Sequence, residues 1–194
     1  MTVDTFMYTG KTPWRSTGTF VGEEPLSSRQ AIGKAGLDWS VTMRPIFTRG
    51  SDDILDRIST HRAVVRDTDD MVLGVVGSRY KPIQNVEAFE FMDSLVGEDL
   101  MQYHTAGSIR GGQRIWLLGQ IGSEYILPDD KIDQFLFLLN AHDGSASLRC
   151  MFTNIRTVNA SIYRTTRWHA RGDAVALRHT GNASTKIQQA RKVL

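Results

Sequence analysis

Three times between residues 62 and 155, two short apolar runs stand on either side of a turn signal. In RAVVRDTDDMVLGVV the turn is Asp67-Thr68-Asp69-Asp70, and in QYHTAGSIRGGQRIWLLGQI it is Gly111-Gly112. Between QFLFLLNA and LRCMFTNI it is HDGSAS. Apolar runs paired across Gly, Asp and Ser clusters are the pattern of β-hairpins, and hairpins build antiparallel sheet. Two segments break that rhythm with helical spacing. Ser27 or Ser28 caps SSRQAIGKAG, which stops at Gly36. Asn85 caps NVEAFEFMDSLVG, where Val86, Phe89, Met92, Leu95 and Val96 recur every three or four residues and Gly97 ends the run. The expected class is α+β: an antiparallel sheet of hairpins packed against a central helix and a second, basic amphipathic helix.

The connecting segments complete the expectation. Residues 1–25 mix Gly, Thr, Pro and Ser with scattered aromatics and read as an irregular N-terminal arm, pinned by Trp14, Phe20 and Val21 onto a single α+β domain over 26–194. LDWSVTMRPIF places Trp39, Val41 and Met43 on one side of a strand and Ser40, Thr42 and Arg44 on the other. GSDDILDRISTH reads as a connection, and SRYKPIQN as a loop, because Pro82 pushes Lys81 out of the helical region. DAVALRH is a last strand before a terminal helix, ASTKIQQARKVL.

The 194 residues are enough to bury a core. No run approaches the ~18 apolar residues of a membrane span, and the N-terminus lacks the basic-then-apolar pattern of a secretory leader. A single cysteine rules out an internal disulfide and every zinc motif built on paired cysteines. The five histidines are dispersed, so no metal site and no cofactor is expected. GSIRGGQR lacks the Lys-Ser/Thr ending of a phosphate-binding loop.

His142, Asp143, Ser145 and Cys150 crowd together. A Ser-His-Asp triad needs side chains that converge from positions set by the fold, and neighbouring turn residues rarely do so. Asp-Gly between apolar runs is a hairpin turn, and the nucleophile elbow G-x-S-x-G is absent. No catalytic residue is expected, although a hydrolase using His142 or Cys150 stays open.

Charge is more telling. Residues 1–146 hold 14 Lys/Arg and 20 Asp/Glu, whereas 147–194 hold 9 Lys/Arg and a single acid, Asp173. Such asymmetry points to an anionic partner, or to two halves that neutralise one another. Treated as a helix at about 100° per residue, 154–167 gathers Arg156, Tyr163, Arg164 and Arg167 within an arc of about 100°, with Ile155, Val158 and Ile162 roughly opposite. Arginine forks match phosphates, and a tyrosine among them can stack on a base. Arg149, Arg171 and Arg178 extend the patch. Arg110 and Arg114 flank a hairpin tip expected to be flexible, and Arg79 and Lys81 sit on the loop before the central helix.

LGVVGSRYKPIQNVEAFEFMDSLVG, TAGSIRGGQRIWLL, NAHDGSASLR and ALRHTGN, in that order, resemble the phage/plasmid-like protein family, which is catalogued as a domain of unknown function. The chain departs from that pattern at Pro13-Trp14-Arg15-Ser16, where the family has Pro-Trp-His-Gly, and at Asn159-Ala160-Ser161, where it has Cys-Gln-Asn. The resemblance implies an origin in a phage, prophage or plasmid, and hence the cytoplasm of a bacterial host. The order of hairpins and helices is also similar to that of phage single-strand annealing proteins, which form rings or filaments around a basic groove. The expected function is a non-enzymatic single-stranded DNA-binding protein that promotes annealing or recombination. Its expected contacts are Arg149, Arg156, Tyr163, Arg164, Arg167, Arg110, Arg114 and Lys81, in a homo-oligomer. The alternative is a host-interaction protein, a decoy or inhibitor of a defence system, whose basic face meets a protein.

Overall fold

The computed structural model of the chain describes residues 3–9, 18–23, 26–96, 101–127, 130–155 and 174–180. In chain order its elements are β1 Val3–Tyr8, β2 Thr19–Phe20, α1 Ser28–Lys34, β3 Val41–Arg49, β4 Leu55–Arg66 and β5 Val72–Gly77. They continue with α2 Asn85–Val96, β6 Gln102–Ile109, β7 Arg114–Leu127, β8 Asp130–Ala141, β9 Leu148–Ile155 and β10 Ala174–Leu177. Among the described residues strands predominate over two helices, an α+β composition. They form a seven-stranded sheet in the order β10-β9-β8-β7-β6-β1-β2 and a three-stranded sheet β3-β4-β5. Every pairing is antiparallel except β1 with β2.

The period of two along β7, β8 and β9 sorts side chains onto two buried faces. Ile115, Leu117, Leu136, Leu138, Leu148 and Cys150 join α1, α2 and the base of the three-stranded sheet in one core cluster. Trp116, Leu118, Phe135, Phe137, Leu139 and Met151 form a second cluster with Phe6 and Ile109 on the other face. A sheet buried on both faces explains why LLNA and IWLL read as continuous apolar runs rather than alternating ones.

α1 begins as the sequence requires: Ser27 and Gln30 close a reciprocal capping box, and Gly36 at φ +65° lets the chain turn after the C-cap. α2 departs from expectation at the start of its stripe. Val86 is half exposed, and Ala88, Phe89, Phe91 and Met92 are the buried residues. Asn85 does not cap the helix; Glu87 instead accepts the Gln84 N–H at 2.8 Å, and Asn85 is spent on the interior.

Two further expectations are corrected. The arm at 1–25 is not irregular throughout, because Val3–Tyr8 is a strand of the large sheet, paired with β6. The segment 50–61 is not a mere connection, since β4 starts at Leu55 and pairs with β3 beyond the body of the protein. Its acids hid the strand: Asp56 lies on an exposed ribbon, where alternation does not report burial. Of the expected basic helix over 154–167, Asn154 and Ile155 are instead the end of β9, paired with Gln134 and Asp133, and residues 156–167, like the expected terminal helix, lie outside the described residues.

β1 approaches β6 closely at Gly107, where a Cβ would overlap the Thr5 carbonyl oxygen and sit 2.5 Å from the Phe6 Cβ. Gly107→Ala is expected to lower stability by about 1–3 kcal/mol, the usual penalty for overpacking, because the obstacle is backbone. A denaturant-unfolding midpoint unchanged by that substitution would show that β1 is not held there.

Candidate functional site

One end of the large sheet, where β10 stops and β8 turns into β9, collects polar side chains that the core should exclude. Asn140 at the end of β8 is fully buried and donates from Nδ2 to the Ile83 carbonyl at 3.0 Å. His142, two residues on, is fully buried as well. Its Nε2 lies 2.8 Å from Asn85 Oδ1, and the Asn85 amide donates to the Leu37 and Trp39 carbonyls at 3.0 and 3.2 Å. Asn85 thus joins three segments far apart in sequence: the approach to β3, the start of α2 and the turn after β8. Trp39 packs on the His142 ring at 5.3 Å, and the Arg66 guanidinium covers Trp39 at 5.4 Å.

His179, just past β10, is buried and stacks on Tyr80 with ring centroids 4.7 Å apart. Tyr80 in turn donates to the Ala141 carbonyl at 2.8 Å. Neither ring nitrogen of His179, nor Nδ1 of His142, nor Oδ1 of Asn140 has a hydrogen-bond partner among the described residues. Burial is the main cause that lowers both imidazoles, to about 3 for His142 and about 4 for His179. The neighbouring His179 lowers His142 further, and Asp143 partly opposes the shift. Both rings are therefore neutral at pH 7.

Ser145 accepts from Arg114 Nη2 at 2.8 Å and donates to Asp143 Oδ1. Asp143 also receives the Ser145 N–H and lies 3.6 Å from the Arg114 guanidinium. This closes the turn; it does not bring Ser145 to His142, whose ring is bonded to Asn85 instead. Cys150 is buried in the core and its thiol is pushed up to about 12 by burial, which keeps it protonated. Among the described residues no group of three His, Cys, Asp or Glu side chains could hold a metal ion.

The basic residues expected at a DNA surface are distributed differently from the sequence reading. Arg114 is buried and committed to the turn, so it does not flank an open tip. That tip is docked rather than flexible: Arg110, Gly111 and Gly112 all take positive φ, and Gly111 O accepts from Arg66 while Gly112 N–H donates to Asp4. Arg110 is exposed at its edge. Arg149 is half-buried on the sheet face away from the helices, opposite Leu139 and Ala176. Arg156, Tyr163, Arg164 and Arg167 lie outside the described residues. Lys81, by contrast, is drawn into a cluster. Its N–H donates to the His179 carbonyl at 3.1 Å, which brings exposed Arg79, Lys81 and Arg178 to one corner, and no described carboxylate is paired with any of them.

Fold and site thus define an α+β protein with a buried histidine-asparagine joint beneath a basic corner. Residues 72–194 match the model of the family described as Domain of unknown function (DUF932), and the chain belongs to that family. The match begins at β5 and takes in the corner, whereas α1, β3 and β4 precede it. No curated protein and no solved structure matches the chain. No helix among the described residues is long and apolar enough to cross a membrane.

Proposed function

We propose that this protein binds single-stranded DNA through phosphates and promotes its annealing or recombination, as a non-enzymatic factor of a phage or plasmid. The observation that carries the reading is the corner of Arg79, Lys81 and Arg178. Two segments about a hundred residues apart are hydrogen-bonded at Lys81 and His179, so that three exposed cations lie on adjoining stretches of backbone without a paired acid among the described residues. Solvated faces usually interleave both signs; a one-sign cluster attracts an anion. Phosphate contacts of this kind need no base-reading motif, consistent with the lack of one in the sequence. Arg149 and the arginines at 156, 164 and 167, with Tyr163, belong to the same basic C-terminal part of the sequence.

The test is fluorescence anisotropy of a labelled single-stranded oligonucleotide across a salt series. The triple charge reversal Arg79→Glu, Lys81→Glu, Arg178→Glu is expected to weaken binding at least tenfold. It should also flatten the slope of log K against log salt by about 2, at ~0.7 for each phosphate that is no longer neutralised. All three side chains are exposed, so the fold should survive. Unchanged affinity and slope in the triple variant would remove the corner from the proposal. No binding by the wild-type chain would remove the DNA reading altogether, and a host protein would then be the partner to seek.

A further inference from the structure

β3 and β4 are longer than the body they cover. Near the base, Val41 and Val64 are buried in the core, and Val76 of β5 joins them on the same face. Further out, the ladder passes a bulge: Pro45 pairs with Arg62, but Ile46 pairs with Ile58, leaving Ser59, Thr60 and His61 as extra residues on β4. Arg62 Nη1 holds that bulge by donating to the carbonyls of Ile58, Ser59 and His61 at 3.3, 3.3 and 2.9 Å. Beyond it lies a two-stranded ribbon. Phe47 stands opposite Arg57 and Arg49 opposite Leu55, so these four share one side. Phe47 is 49% exposed and Leu55 59%. An aromatic and a leucine on an exposed ribbon tip, set between two arginines, are the ingredients of an interface anchor.

The chain also contains a cavity of matching chemistry. A cleft of about 330 Å³ opens between α1 and α2, and its lining includes Leu26, Arg29, Ile32, Phe89, Glu90 and Asp93. Its volume is at the lower end of pockets that take small organic groups, about 300–1,000 Å³, which suits a single aromatic side chain. Its apolar residues match Phe47 and Leu55, and its two carboxylates, set against the single cation Arg29, match the two arginines. Asp93 already accepts from Tyr103 at 2.6 Å, and Arg49 faces Asp53 at 3.6 Å. Exposed Glu90 and exposed Arg57 remain as the pair without an ion-pair partner among the described residues.

We propose that the β3–β4 ribbon of one copy docks in the α1/α2 cleft of a second copy, with Phe47 in the cleft and Arg57 against Glu90. Ribbon and cleft are different surfaces, so the contact is heterologous and propagates into a ring or an open filament. This interface stands apart from the DNA reading, because it uses none of the corner residues and lies in a part of the chain that the family match does not wholly cover.

The experiment is size-exclusion chromatography with light scattering on the full chain, without nucleic acid, over a range of protein concentrations. The wild type is expected as a multiple of the 21.8 kDa chain. Arg57→Glu alone and Glu90→Arg alone should each fall to the single-chain mass, and the double variant should recover the multiple. Phe47→Ser should dissociate the assembly with no charge change. Both charged positions are exposed, and far-UV circular dichroism confirms that the variants are folded. A wild type that stays at 21.8 kDa at every concentration overturns the proposal. So does a mass indifferent to either single reversal, or a double variant that fails to reassemble. If Arg57→Glu leaves the mass unchanged but abolishes oligonucleotide binding, the ribbon serves DNA instead and the self-docking assignment is wrong.

Discussion

Asn85→Ala is expected to lower the free energy of unfolding by about 3–5 kcal/mol, measured by urea titration at pH 7.5. The side chain is buried and makes three hydrogen bonds, to the Leu37 and Trp39 carbonyls and to His142 Nε2. Each buried polar group left without a partner costs about 1–3 kcal/mol. His142 suffers most, because its Nδ1 already has no partner among the described residues and Nε2 would be stripped of its own. Asn85→Asp separates hydrogen bonding from shape. It keeps the volume but turns a donor into a second acceptor facing two carbonyls, so it should be at least as destabilising as alanine. A change below about 1 kcal/mol for both variants would mean that the joint between α2, the approach to β3 and the turn after β8 does not depend on this residue.

That joint also shows where sequence reasoning stops. The hairpins at 62–77, 102–121 and 134–155 were legible because alternating or continuous apolar runs and turn residues are local signals. The helix over 28–34 was legible for the same reason, with its capping serine and closing glycine. Asn85 was legible only as a cap, its commonest use at such a position. Its real partners are 46 to 57 residues away, and nothing local announces them. Arg114 was misplaced for a related reason: an arginine beside two glycines looks like a surface residue until the turn at Asp143–Ser145 folds over it. The grouping of Lys81 with Arg178 needed β10 to be placed beside β9, a non-local fact. The ribbon beyond the Arg62 bulge escaped because exposed strands carry no burial pattern, and its acids read as a loop.

Acidification from pH 7.5 to pH 5 is expected to lower stability by about 4 kcal/mol, and most of that drop should come from His142 and His179. Their folded values, about 3 and about 4, lie below the ordinary 6.5. The unfolded chain therefore binds more protons than the folded one as soon as pH drops below about 6.5. Stability is full above that value and falls as pH decreases towards the folded values. At pH 5 both folded values are still below the solution pH, so the drop depends on the unfolded value alone. A gap of about 1.5 pH units at ~1.4 kcal/mol per unit gives about 2 kcal/mol for each ring. Asp67 and Asp69 are held below their usual 3.8, chiefly by hydrogen bonds from Ser40 and Arg66; their contribution fades only as pH falls below that value, outside the window. His179→Phe divides the effect. Phenylalanine keeps a ring stacked on Tyr80 and removes two nitrogens that have no hydrogen-bond partner among the described residues. The variant should be as stable as the wild type or more so at pH 7.5, and should be destabilised only about half as much by pH 5. Urea midpoints for both proteins at the two pH values decide the matter. Equal acid sensitivity in wild type and variant would show that His179 is not a source of the pH dependence.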